Sequence, residues 1–237
     1  MKKLVVLSGA GMSADSGLKT FRDSGGLWEG HDVMQVASPQ AYAKDPGLVL
    51  EFYNQRRRQL KSAVPNAGHR ALASLESHFE VSIVTQNVDD LHERAGSTRV
   101  LHLHGELLKV RSTGPKETIY AWEDDLLPRD RCEEGYPLRP HIVWFGEPVP
   151  LLEAAANLAM QADLLIVVGT SLQVYPAAGL IHYRRPGVPL YLVDPKPNLR
   201  KGDLDHLEIL AERAAVGLPI LADRLVGRAS GSVGPNP

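Results

Sequence analysis

Six short apolar runs constrain this chain more than any other feature: residues 4–8, 81–85, 100–104, 141–145, 164–169 and 190–193. Each is continuous rather than alternating, the pattern of a strand buried on both faces. Helical patterns lie between several of them, at residues 46–61, 66–78, 88–94 and 151–161. Strands alternating with helices predict an α/β fold with a mainly parallel sheet and helices on both faces. Two stretches break the alternation, residues 18–65 and 111–139. The first carries a Gly25-Gly26 hinge and two helical patterns; the second is polar, irregular and contains proline. Both are read as insertions forming a small second lobe. Residues 227–237, rich in Gly, Ser and Pro, are expected to be a disordered tail, leaving one domain over residues 1–226.

Composition excludes several classes. The net charge of −2, from 26 Lys and Arg against 28 Asp and Glu, argues against bulk binding to nucleic acid or an anionic membrane. No apolar run approaches the roughly 20 residues needed to span a bilayer. The run after Met1-Lys2-Lys3 is broken by Gly9 and Gly11 and is too short for a signal peptide. The single cysteine, Cys132, permits neither an internal disulfide nor a zinc cage of four thiolates. A cytoplasmic monomer is expected.

The motifs sit at the ends of the apolar runs, where open α/β sheets place their ligands. Gly9-Ala10-Gly11-Met12-Ser13-Ala14-Asp15-Ser16-Gly17 follows the first run and nearly satisfies the dinucleotide fingerprint, with Ala14 in the third position. Its glycines allow a tight turn close to a pyrophosphate; the bland alternative is a Gly-rich turn. Dehydrogenases add a second strand ending in an acidic residue, yet here residues 20–28 read as a loop. A variant dinucleotide site is therefore expected, without hydride transfer. Gln86-Asn87-Val88-Asp89-Asp90-Leu91-His92 supplies more polar groups than a helix cap requires. Leu101-His102-Leu103-His104-Gly105 offers an acid/base group, with Gly105 allowing close approach to His104; a satisfied core histidine is the plainer reading of either ring. Gly169-Thr170-Ser171 suits phosphate or ribose. The segment from Pro140 to Pro148 is expected as a strand able to pair with a peptide.

Together these segments resemble the sirtuin family of NAD-dependent protein lysine deacylases, over residues 4–225. Gly9-Ala10-Gly11-x-Ser13-x-x-Ser16-Gly17-x-x-x-Phe21-Arg22 carries the likeness most specifically. It is joined by Gln86-Asn87-Val88-Asp89-x-Leu91-His92-x-x-Ala95-Gly96, His104-Gly105, Phe145-Gly146-Glu147 and Gly169-Thr170-Ser171, in the family's order. The closest likeness is to bacterial deacylases that also act on acidic acyl groups. The resemblance implies a Rossmann-like fold and NAD as a consumed co-substrate. His104 would be the general base on the ribose, with Asn87 and Asp89 holding ribose and carboxamide and Gln86 touching the ribose. Gly9, Ala10, Gly11, Ser13, Ala14, Phe21, Arg22 and Trp28 would line the dinucleotide site. Gly169, Thr170 and Ser171 would hold the adenosine half, with Asp194 and Lys196 at the adenine ribose and Ala214 at the adenine. The family usually has Asn where Asp194 stands. Val143, Phe145, Gly146 and Glu147 would clamp an acylated-lysine peptide by strand addition. The products would be free lysine, nicotinamide and O-acyl-ADP-ribose. A mono-ADP-ribosyltransferase, or a non-catalytic NAD or acyl-lysine binding module, is the alternative.

Two departures refine the resemblance. Most sirtuins hold structural zinc with four cysteines; here Ser112 stands at the first position and only Cys132 remains, so no zinc is expected. An apolar mini-core of Ile119, Tyr120, Trp122, Leu126, Leu127 and Tyr136 would take its place. Ala37, Tyr53 and Arg56 stand at the spacing of sirtuins that remove succinyl and malonyl groups. Taken alone, Tyr53 and Arg56 read as a surface pair on a basic helix shared with Arg57 and Arg58.

Overall fold

The computed structural model describes residues 1–19, 27–28 and 31–230. Its strands are β1 (Lys3–Ser8), β2 (Leu27–Trp28), β3 (His31–Asp32), β4 (Glu80–Thr85), β5 (Val100–His102), β6 (Gly105–Ser112), β7 (Ile119–Ala121), β8 (Leu138–Ile142), β9 (Leu164–Val168), β10 (Leu190–Val193) and β11 (Leu207–Leu210). The α-helices are α1 (Val33–Val36), α2 (Pro39–Lys44), α3 (Pro46–Ser62), α4 (Ala67–Ser74), α5 (Leu91–Arg94), α6 (Leu152–Gln161) and α7 (Ala214–Ser230).

The large lobe is a parallel sheet in the order β11-β10-β9-β1-β4-β5. Alternate residues of β1 enter different layers. Leu4 and Val6 pack with Leu72, Leu218, Leu221 and Leu225, which come from α4 and α7. Val5 and Leu7 pack with Ala155, Ala156, Leu180 and Ile181 on the opposite face. Coverage on both faces explains why the runs are apolar throughout. From β1 the chain moves outward to β4 and β5, then returns to β9 and moves the other way to β10 and β11. The order reverses between β1 and β9, which opens a crevice at their C-terminal ends.

The small lobe combines α1–α3 with an antiparallel sheet ordered β7-β6-β8. Residues 111–139, expected as irregular, therefore contribute strands. The lobe's sheet was hidden because β6 alternates buried Leu107 and Val110 with polar Glu106, Lys109 and Arg111. The strand expected at residues 141–145 lies instead at Leu138–Ile142, in this lobe rather than the large sheet. Beyond it, Val143 N–H still donates to the His104 carbonyl at 2.9 Å before the chain turns. Helix α3 is held to β6 and to the loop between β7 and β8 by polar clamps. Asn54 bonds both backbone groups of Leu126, at 3.1 and 2.9 Å, and Arg57 donates to the Leu107 carbonyl at 3.1 Å.

The expected mini-core is half present. Leu126 is buried with Leu50, Val110 and Leu138, flanked by Tyr120 and Trp122. Ile119, Leu127 and Tyr136 are exposed, because β7 is an edge strand and the other two lie in the loop beyond it. Ser112 Oγ donates to Cys132 Sγ at 3.3 Å. Among the described residues no group of three or more His, Cys, Asp or Glu side chains is placed to hold a metal ion. Helix α7 runs to Ser230, so residues 227–230 are helical rather than part of a tail; residues 231–237 lie outside the described residues.

Candidate active site

The crevice is closed at its base by backbone contact between two turns. Gly9 N–H donates to the Val168 carbonyl at 3.0 Å and Gly11 N–H to that of Gly169 at 2.8 Å. Gly169 has φ +61, and a Cβ there would lie 2.3 Å from Met12 N. The glycine at this position thus lets two loops interlock. Gly105 has a similar explanation: at φ +83 its Cβ would lie 2.0 Å from the His141 carbonyl oxygen. Here the start of β6 lies hard against β8, which by itself requires glycine.

Polar side chains converge on the crevice from three strand ends. Ser13 Oγ donates to Asp89 Oδ2 at 2.9 Å and accepts from Asn87 Nδ2 at 3.2 Å. Asp89 also accepts from Leu91 N–H at 3.2 Å. Ser13, Asn87 and Asp89 are all buried, and burial raises the Asp89 pKa above the usual carboxylate value. Gln86 Nε2 reaches Thr170 Oγ1 at 3.4 Å, tying the turn after β4 to the turn after β9. Beneath lies a network that sequence reasoning missed. Ser8 Oγ donates to Thr85 Oγ1, which also accepts from Asn87 N–H, and Ser8 Oγ contacts His92 Nε2 at 3.0 Å. The available signal was that adjacent parallel strands β1 and β4 both end in a hydroxyl residue.

The two histidines of the His-x-His pair take different states. His104 Nδ1 lies 3.1 Å from the Gln86 carbonyl. A carbonyl only accepts, so Nδ1 carries the hydrogen and Nε2 keeps its lone pair. Burial lowers the His104 pKa, against the opposing effect of that bond, so the ring is neutral near pH 7. His102 lies between the Asn87 carbonyl at 3.1 Å and Glu93 Oε1 at 2.7 Å. Burial opposes its charge, but the Glu93 bond and charge and the Asn87 carbonyl together raise its pKa. His102 is therefore a satisfied core histidine paired with Glu93, and His104 is the ring with basic capacity.

Other expected positions scatter around this centre. Asp194 is buried and accepts from Lys196 N–H at 2.9 Å, while the Lys196 side chain is exposed. Ala214 is buried against Gly68 in the core. Ala10 and Ser171 are half-buried and Ala14 is exposed. Phe21, Arg22 and the Trp28 side chain lie outside the described residues.

In the small lobe, Ala37, Tyr53, Ile142 and Trp144 share one apolar cluster. Phe145 N–H donates to the Ala37 carbonyl at 3.0 Å, which joins the turn after β8 to the end of α1. Phe145 and Gly146 are exposed and Glu147 is half-buried. Tyr53 is fully buried and Arg56 is 7 % exposed, so the two are not a surface pair. Arg56 lies over the Phe52 ring at 4.2 Å and acts electrostatically on Tyr53. Of the same helix, Arg57 is buried, and only Arg58 sits on the surface, paired with Glu51 and Asp125.

The profile of the Sir2 family matches residues 9–176. The chain is 55% identical, over 231 residues, to the NAD-dependent protein deacylase of Helicobacter pylori strain J99, covering 97% of this chain and 98% of that protein. A solved Sir2 homologue in complex with NAD superposes with a TM-score of 0.87 at 38% identity, over 96% of this chain and 91% of the other. A Sir2 mutant bound to a p53 peptide and NAD superposes at 0.76 with 30% identity, over 98% and 94% of the two chains. The chain therefore belongs to the Sir2 family, the sirtuins.

Proposed function

We propose that the protein is an NAD-dependent protein lysine deacylase that removes acetyl groups and also succinyl and malonyl groups. The observation that carries this reading is a neutral His104 beside the Ser13–Asn87–Asp89 array, at the crevice where the sheet order reverses. The donor set suits a dinucleotide: hydroxyl and amide groups abound, and a buried carboxylate can accept from a ribose or carboxamide. NAD, when bound, supplies a nicotinamide leaving group and the ribose that receives the acyl group.

The chain's residues then have distinct tasks. His104 Nε2 accepts a proton from a ribose hydroxyl. Asn87 and Asp89, fixed through Ser13, orient ribose and carboxamide, and Gln86 contacts the ribose. Gly9, Ala10, Gly11, Ser13, Ala14, Phe21, Arg22 and Trp28 line the dinucleotide site. Gly169, Thr170 and Ser171 take the adenosine half, with Asp194, Lys196 and Ala214 toward the adenine. Val143, Phe145, Gly146 and Glu147 receive the acyl-lysine peptide. Ala37 leaves room for a longer acyl chain, Arg56 pairs with its distal carboxylate and Tyr53 adds a hydrogen bond.

The partners are acylated lysines of proteins, acted on by a cytoplasmic monomer that binds neither nucleic acid nor membrane. Among the described residues no helix is long and apolar enough to cross a membrane. One catalytic domain spans residues 1–226 together with the last turn of α7 to Ser230, with small-lobe insertions at residues 18–65 and 111–139. Mass spectrometry of acetylated and succinylated peptides, with and without NAD, tests the reading. NAD-dependent loss of both groups with formation of O-acyl-ADP-ribose is expected. Formation of NADH, or transfer of ADP-ribose to protein alone, overturns it.

A further inference from the structure

We infer that Trp144 is a positioning residue for acidic acyl groups: its indole N–H fixes the orientation of the Tyr53 hydroxyl, and Arg139 and Glu147 hold Trp144 in place. The inference rests on the acidic-acyl reading above and adds to it residues that do not touch the acyl chain.

Trp144 Nε1 lies 2.9 Å from Tyr53 Oη, and both side chains are buried. An indole nitrogen only donates, so the direction of this bond is not in question: Tyr53 Oη is the acceptor. The phenol's own hydrogen must then point away from the indole. Burial pushes the Tyr53 pKa well above its ordinary value, so that hydrogen is retained at any working pH. A hydroxyl that accepts one hydrogen bond becomes a better donor in another. A phenol fixed in this way suits an anionic acceptor such as a carboxylate, with Arg56 one turn further along α3.

Trp144 is itself held on three sides. The Arg139 guanidinium lies 3.4 Å from the centre of the indole ring, where a cation draws electron density from the ring and strengthens the N–H as a donor. Glu147 accepts from Arg139 Nη1 at 2.6 Å and Nη2 at 3.0 Å. The same carboxylate accepts from Trp144 backbone N–H at 2.8 Å and from Arg111 at 3.2 Å. Arg139 Nη2 also donates to the Ile142 carbonyl at 3.0 Å. So much polar structure around one aromatic ring exceeds what filling the core requires.

The test is the ratio of kcat/KM on succinyl-lysine to that on acetyl-lysine in the same peptide, measured with the full chain. Trp144→Phe is expected to lower the ratio about three- to tenfold, the effect of one misdirected hydrogen bond. Tyr53→Phe should lower it by a similar factor, and adding Trp144→Phe to Tyr53→Phe should change it less than about twofold. A purely structural role lowers both substrates together and acts again in the Tyr53→Phe background; either result overturns the inference. If Trp144→Phe does not fold, benzothienylalanine at position 144 decides, because sulfur replaces the N–H within the same shape. Arg56→Met separates the two readings. If it leaves the ratio unchanged, the acidic-acyl assignment itself fails. If it lowers the ratio while Trp144→Phe does not, only the positioning role is overturned.

Discussion

Around the ends of β1, β4 and β9, polar side chains hold one another: Ser8 with Thr85, Ser13 with Asp89, Asn87 with Ser13, Gln86 with Thr170. In the small lobe, side chains also hold backbone and apolar rings: Asn54 on Leu126, Arg57 on Leu107, Arg139 on Trp144. The first arrangement uses short, mostly uncharged groups at and just beyond the ends of parallel strands that lie in register. The second uses long side chains spanning a helix and a half-covered sheet. On the proposed reading, reaction geometry belongs to the crevice, where neighbouring strand ends lie in register, and selectivity for the acyl group belongs to the lobe assembled from distant segments.

The sharpest way to break this comparison is at His104. His104→Ala is expected to lower turnover about 10²–10⁴-fold, the range of general-base catalysis, while the thermal unfolding temperature stays close to the parent's. The same assignment fixes the sign of a pH effect. Because burial lowers the His104 pKa, activity should rise with pH and level off at an apparent pKa below that of an ordinary histidine. Near-normal turnover in the variant, measured by release of nicotinamide, would place the base elsewhere.

The large lobe should also dominate acid stability. His69 and His92 are fully buried with ring centroids 5.0 Å apart. Burial, with smaller contributions from Arg70 for His69 and from His69 and His102 for His92, lowers their pKa values to about 4 and about 3. Above about pH 6.5 neither ring is protonated in the folded or the unfolded chain. Below that, the unfolded chain takes up protons that the folded one refuses, so stability falls until the folded values are reached. Each ring contributes a slope of about 1.4 kcal/mol per pH unit over that window. Urea midpoints between pH 7 and 4.5 measure this; His69→Phe should flatten the slope, and an unchanged slope contradicts the assignment.

On the small-lobe side, Arg56→Met should lower kcat/KM on succinyl-lysine by about one to two orders of magnitude, and on acetyl-lysine much less. Equal losses on both substrates would mean that Arg56 supports the lobe rather than the acyl carboxylate. Asn54→Ala tests the clamp separately. It leaves the buried N–H and carbonyl of Leu126 without their partner, at a cost of about 1–3 kcal/mol in urea unfolding. A loss that small, with the acyl preference unchanged, would separate support of the lobe from selectivity.

How legible each region was in the sequence follows from the same contrast. β1, β4, β9 and β10 are continuous apolar runs, so local composition reveals them. β11, Leu207–Leu210, is a short edge strand only partly buried, and it left no such signal. β6 and β7 carry the mixed pattern of a sheet covered on one face, which resembles an irregular segment when read residue by residue. In the crevice, Gly9, Gly11, Gln86, Asn87, Asp89, His104 and Thr170 are visible because each closes a recognisable strand. Links such as Ser13 to Asp89, 76 residues apart, exist only once the sheet aligns the strand ends. Near the proposed acyl site, Trp144 fell within the run 141–145 read as a buried strand, and Arg139 at the end of the stretch 111–139 read as irregular. Nothing local places an indole against a tyrosine 91 residues away.

The smallest expected effect bears on what holds the small lobe together. Ser112 and Cys132 meet at 3.3 Å across the lobe, and Gly114 N–H donates to Ser112 Oγ at 3.0 Å. A hydroxyl and a thiol can share a hydrogen, but they offer a divalent metal only one thiolate, whereas structural zinc sites take four nitrogen or sulfur ligands. The lobe is instead secured by the Leu50, Val110, Leu126 and Leu138 cluster and by the polar clamps of α3. Cys132→Ser should therefore change stability by less than about 0.5 kcal/mol, as for substitutions outside any cavity, cap or metal site. A chelator should leave the unfolding temperature of the parent chain unmoved, since removing a structural metal removes folding free energy directly. Stoichiometric zinc in elemental analysis, or a chelator-induced drop in unfolding temperature, would show that a metal and not the packed core secures this lobe.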